Sequence, residues 1–131
     1  MKSFMVPAEH HAAVQRVLLL GRSGEAAALP ELIALSKLPS NEVQRLAASA
    51  IGKLAGFGAD TVAAVAALAP LALHGRHPQT QPYAIRALKP YAAAAQEHLH
   101  DLRDLANNPA QRDYVRAAAL TTTGASAAMW P

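Results

Sequence analysis

The sequence has no cysteine among its 131 residues, so disulfides and cysteine-ligated metal sites are excluded. Aromatic residues make up only 5% of the chain, although hydrophobic residues reach 52%. Its apolar content is therefore mostly alanine and leucine, which favour helix over strand. The longest apolar run, residues 62–73, contains Pro70 and falls short of the roughly 20 residues that a bilayer span needs. The opening residues MKSFMVPAEHH hold no long apolar core of the kind found in secretory signals. A soluble, cytoplasmic protein with no membrane contact is expected. Nucleophile motifs such as G-x-S-x-G and glycine-rich phosphate loops are missing, and the carboxylates are scattered. Histidines come together as His10-His11, His74 with His77, and His98 with His100. No pair has the i, i+4 spacing of two ligands on one helix, so these read as surface residues. No catalytic residue, metal or cofactor is expected, and no enzyme activity.

The most ordered pattern runs from Pro39 to Gly56. Its apolar positions are Val43, Leu46, Ala47, Ala50, Ile51 and Leu54, one stripe along a helix of period 3.6. Asn41 is expected to cap this helix, with Gln44 completing a capping box. Gly52 and Gly56 are expected to mark its end. Leu46 and Ile51 should be deeply buried. Six further helices are expected around it, and no stretch alternates with period two. The first covers about 8–20, ended by Gly21 and Gly24. The second runs from Glu25 to about Leu38 with Pro30 in its first turn. Asp60 caps the fourth, 61–74, which is apolar almost all round and expected to be the most buried, with a kink or early end at Pro70. Thr80 opens a fifth, carrying Tyr83, Ala84, Ala87, Leu88 and, at its end, Tyr91 on one face and interrupted at Pro90. A sixth spans about 91–106. Asn108, Pro109 and Gln111 read as the cap, first-turn proline and capping box of a seventh, with Val115, Ala118, Ala119 and Thr122 inward.

These helices come in pairs whose second members recur. Val14-Gln15-Arg16 is repeated as Val43-Gln44-Arg45, and Val115-Arg116 renews the theme. A helical hairpin with a period in the mid-thirties is the signature of a solenoid. The segment Leu29-Pro30-Glu31-Leu32-Ile33-Ala34-Leu35 followed by Pro-Ser-x-x-Val-x-Arg-x-Ala-Ala-x-Ala-Ile-Gly-x-Leu resembles a HEAT repeat, closest to the short bacterial kind of the phycobilisome-lyase type. Residues 25–56 form the best copy; 60–91 and 91–124 are weaker ones, and 8–21 looks like a lone second helix. The resemblance implies an all-α fold, a right-handed α-solenoid of about three hairpins and roughly seven helices. It would form a single domain over 8–124 with terminal extensions 1–7 and 125–131. It also implies a non-catalytic scaffold that binds proteins or peptides through the concave face of its second helices. The alkylpurine DNA glycosylases are enzymes built of similar repeats, but they need an aromatic-lined cleft and a central Asp. Here Trp130 is in the tail, and Asp60 and Asp113 sit at helix starts.

The charge distribution carries the remaining functional information. Net charge is only +3, yet Arg16, Arg22, Arg45, Lys53, Arg86, Lys89, Arg112 and Arg116 all fall on or beside second helices. Arg45, Lys53, Arg86, Lys89 and Arg116 are the candidate partner-binding residues. A protein or peptide is the expected partner. Nucleic acid is the alternative, with the objection that no aromatic residues are interleaved for stacking on bases. Arg16, Arg45 and Arg116 could instead be tied to acidic groups of adjacent repeats. The apolar tail around Met129 and Trp130 is expected to cover the last repeat, or to make a weak homo-oligomer.

Overall fold

The computed structural model describes residues 5–75 and 77–127, with side chains as far as Thr123. All regular structure among the described residues is helical. Seven α-helices follow in order: α1 (Pro7–Ser23), α2 (Leu29–Leu35), α3 (Asn41–Lys53), α4 (Thr61–His74), α5 (Thr80–Ala87), α6 (Leu99–Asn107) and α7 (Asp113–Ala127), with short 3-10 turns between some of them.

Three pairs, α2 with α3, α4 with α5 and α6 with α7, are each packed together and joined by five residues, 36–40, 75–79 and 108–112. The second members also pack on one another in sequence, α1 on α3, α3 on α5 and α5 on α7, while α4 touches both α2 and α6. The second helices thus form one layer and the first helices another. Cross-contacts fix the direction of α1, α3 and α5. His10 near the start of α1 meets Glu42 at the start of α3, 3.3 Å apart, and Gly21 near the end of α1 faces Ala50. Likewise the Thr80 hydroxyl donates to the Asn41 carbonyl at 3.2 Å, and Gly52 lies against Ala87. These three helices therefore run side by side in the same sense.

The core is built from the stripes. Val43, Ala47, Ala48, Ile51 and Leu54 are fully buried, as are Leu32, Ala64, Leu68, Ala84, Ile85, Leu102, Val115 and Ala119. Leu46 is half-buried at the edge of this core rather than inside it. Tyr91, just after α5, reaches α3, and its hydroxyl donates to the Ile51 carbonyl at 2.5 Å. Burial pushes the pKa of that phenol above its ordinary value.

Helix ends differ from expectation where a local signal had a near competitor. Ser40, not Asn41, caps α3, accepting from the Val43 amide at 3.2 Å. Gln44 does not close a capping box; its amide donates to the Leu38 carbonyl at 2.8 Å. Gly24 and Gly58 take the left-handed conformation after α1 and after the 3-10 turn that follows α3, a region in which glycine has no steric penalty. Gly52 is not a terminator. A Cβ there would stand 3.0 Å from the Ala87 Cβ, so the residue is a point of close helix approach. Asp60 caps α4 as expected, accepting from the Ala63 amide at 3.1 Å. The helix then runs through Pro70 to His74. It is not the most buried element, because Val62, Ala66 and Pro70 form an exposed apolar edge. Further along, α6 begins at Leu99, eight residues after Tyr91, behind two 3-10 turns. Asn108 accepts from the Ala110 amide in a turn, and α7 starts only at Asp113 and continues past Gly124. The expectations for Met129 and Trp130 fall outside the described residues.

Candidate partner-binding surface

The five candidate cations part into groups. Arg45 on α3 and Arg86 on α5 converge on Tyr83, with their guanidinium carbons 5.3 Å and 6.0 Å from the ring centroid. A guanidinium held against an aromatic ring gains from the ring quadrupole and keeps its in-plane N–H groups available. Tyr83 is itself 37% exposed, so the group sits at the surface of the α3–α5 seam. Among the described residues no carboxylate pairs with Arg45 or Arg86. Lys53 and Lys89 are exposed, at the end of α3 and just beyond α5. Because Gly52 meets Ala87, they flank the same seam near its other end.

Arg116 is withdrawn from this group. It is half-buried and bonded to Asp113 on its own helix at 2.6 Å, and its Nε is buried with no hydrogen-bond partner among the described residues. Only Arg16 makes the repeat-to-repeat pair anticipated for three arginines. Its guanidinium donates twice to Glu31 of α2, at 2.5 Å and 2.6 Å. That double bond holds the Glu31 carboxyl below its ordinary range and raises Arg16.

Tyr83 was placed on the inner face by its spacing to Ala84 and Ala87, and the structure turns it outward. Ala84, Ala87 and Leu88 are buried as the spacing predicts, together with Thr80, Gln81 and Ile85. Gln81 is buried because its amide donates to the Ala72 carbonyl of α4 at 3.1 Å. A polar residue with a buried partner is invisible to a hydrophobicity count, and Gln81 rather than Tyr83 lies at this edge of the inner face. The i, i+3 relation of Tyr83 and Arg86 was the available clue.

Elsewhere the surface offers less chemistry. One cavity of about 40 Å³ lies among Leu88, Ala95, Leu99 and Leu102, room for about one water. Two open grooves of about 330 and 340 Å³ run on either side of Ala66 and Pro70 of α4. The His98–Glu97 and His100–Asp104 contacts are local, and no group of three His, Asp or Glu residues able to hold a metal occurs among the described residues. No described helix is long and apolar enough to cross a membrane. No protein-family model, no curated protein and no solved structure matches the chain.

Proposed function

We propose that the chain is a non-catalytic helical-repeat scaffold of the HEAT type, a right-handed solenoid of about three hairpins preceded by a lone second helix. It binds a protein or peptide partner through the face of its second helices, the concave side in such a solenoid. The ordered contacts of α1, α3, α5 and α7, backed by α2, α4 and α6, support the repeat reading. The observation that carries the binding reading is the meeting of Arg45 and Arg86 on Tyr83 across the α3–α5 seam. Arginine and tyrosine are the residues in which binding energy concentrates at protein interfaces. Exposed Leu18 and Leu19 of α1 and Tyr114 and Leu120 of α7 add apolar contact on the outer helices of the row. The test is a quantitative pull-down from the host with three baits: the parent chain, Arg86→Glu and, as a control on the other layer, Val62→Glu. A partner lost with Arg86→Glu and kept with Val62→Glu supports the reading; a partner set unchanged by Arg86→Glu overturns it.

Nucleic acid remains the second reading, favoured by the line from Arg45 and Arg86 to Lys53 and Lys89. Phosphate contacts would make duplex affinity fall steeply with salt, by a slope of about −0.9 per contact in log K against log salt. The double variant Lys53→Glu, Lys89→Glu would then abolish binding at low salt without altering the melting temperature. Duplex binding indifferent to that reversal, or absent at low salt, removes this reading.

A further inference from the structure

We infer that Arg45, Tyr83 and Arg86 form a clamp for the carboxylates of an acidic peptide laid along the α3–α5 seam. The inference rests on the second-helix face being the partner surface, and adds the chemistry of what it holds. Arg45 and Arg86 come from different helices, yet both guanidiniums are held within 6.0 Å of one ring centroid. Two like charges brought together repel, and an anion between them relieves that repulsion. Arg16 and Arg116, by contrast, each meet a carboxylate, Glu31 and Asp113. At the seam no carboxylate takes that role among the described residues.

The ring orders both side chains before a ligand arrives, so less freedom is lost on binding. The guanidinium plane presents parallel N–H groups that match a carboxylate in bidentate fashion. Because two guanidiniums already lie against the Tyr83 ring, it is a poor platform for stacking on a base, which favours an acidic peptide over a single-stranded nucleic acid. Lys53 stands eight residues beyond Arg45, about 12 Å along α3, and Lys89 lies beside the same end of the seam. An extended peptide covers that distance in about four residues. The fitting ligand thus carries acidic groups up to about four residues apart, along the line from Arg45 past Arg86 to Lys53 and Lys89.

The test is fluorescence anisotropy with a labelled peptide of about twelve residues carrying two such glutamate pairs, a control with glutamine in their place, and a single-stranded oligonucleotide. The chain should bind the glutamate peptide at least about tenfold tighter than the glutamine control. The double variant Arg45→Lys, Arg86→Lys keeps every charge and should still lose about tenfold, because an ammonium cannot make the planar double contact. Tyr83→Phe, which keeps the ring, should bind like the parent, and Tyr83→Ala should bind as weakly as the double lysine variant. Melting temperatures identify any variant that fails to fold, and the lysine and phenylalanine changes are mild enough to keep the test decisive. Equal binding of the two peptides, unaltered binding by the lysine variant, or tighter binding of the oligonucleotide overturns the clamp. If the peptide fails while a host partner is still released by Arg86→Glu, the docking face stands and only its acidic ligand is overturned. If that partner is also unaffected, the binding reading falls with it.

Discussion

Ile51 has no solvent exposure, whereas Leu46, five residues earlier on the same helix, is half-buried at the rim. Truncation should separate them. Ile51→Ala removes methylenes from a closed site and should cost about 2–5 kcal/mol, while Leu46→Ala should cost distinctly less because water already reaches the site. Chemical denaturation checks this, and equal losses would mean the stripe has been placed wrongly. Tyr91 offers a second test at this scale. Its hydroxyl donates to the Ile51 carbonyl, so Tyr91→Phe should cost about 0.5–1.5 kcal/mol. Burial raises the phenol above its ordinary value, so the folded state keeps its proton at pH values where the unfolded chain has released it. The associated stability is complete below the unfolded value and is lost as pH rises from there toward the folded one. Denaturation midpoints measured up the alkaline range should fall for the parent and fall less for Tyr91→Phe.

Each helix was legible to the degree that its signal was local. Asp60 and the bounds of α4 could be read because a cap and an uninterrupted apolar run need no knowledge of neighbours. Ser40 and Asn41 are both good caps, and their order was decided by the chain's path rather than by propensity. Pro70 does not end α4, for a different reason. A proline inside a helix forfeits the bond to the carbonyl four residues back, here that of Ala66, and kinks or breaks the helix when the deficit is buried. Both residues are exposed on α4, so water can satisfy that carbonyl and the helix continues. Pro70→Ala restores the missing donor and should therefore stabilise the protein, by about 1–3 kcal/mol. A denaturant midpoint that fails to rise would show that the proline is relieving some other strain in α4.

Across the whole molecule the sequence repeats disclosed the pairing of helices but not the contacts between pairs. Neither the Arg45–Tyr83–Arg86 group nor the Tyr91–Ile51 bond spans fewer than 38 residues, beyond the reach of any helical period. The Arg16–Glu31 bond, which ties α1 to the first hairpin, is open to a pH test. Glu31 is held below its ordinary value by the Arg16 guanidinium, so the stability it contributes is present above the ordinary value and is lost as pH falls through the folded one. The melting temperatures of the parent and Glu31→Gln should differ at neutral pH and converge in acid; a constant difference would place the effect elsewhere. The two seams between α1, α3 and α5 share one further feature. Near the later end of each, a glycine of one helix faces an alanine of the next, Gly21 against Ala50 and Gly52 against Ala87. At the earlier end of the second seam stand Arg45 and Tyr83. There the Thr80 hydroxyl also meets the Asn41 carbonyl, so this seam is closed at both ends. The closeness of these helices at Gly21 and Gly52 is thus set by the absence of a single methyl group at each contact.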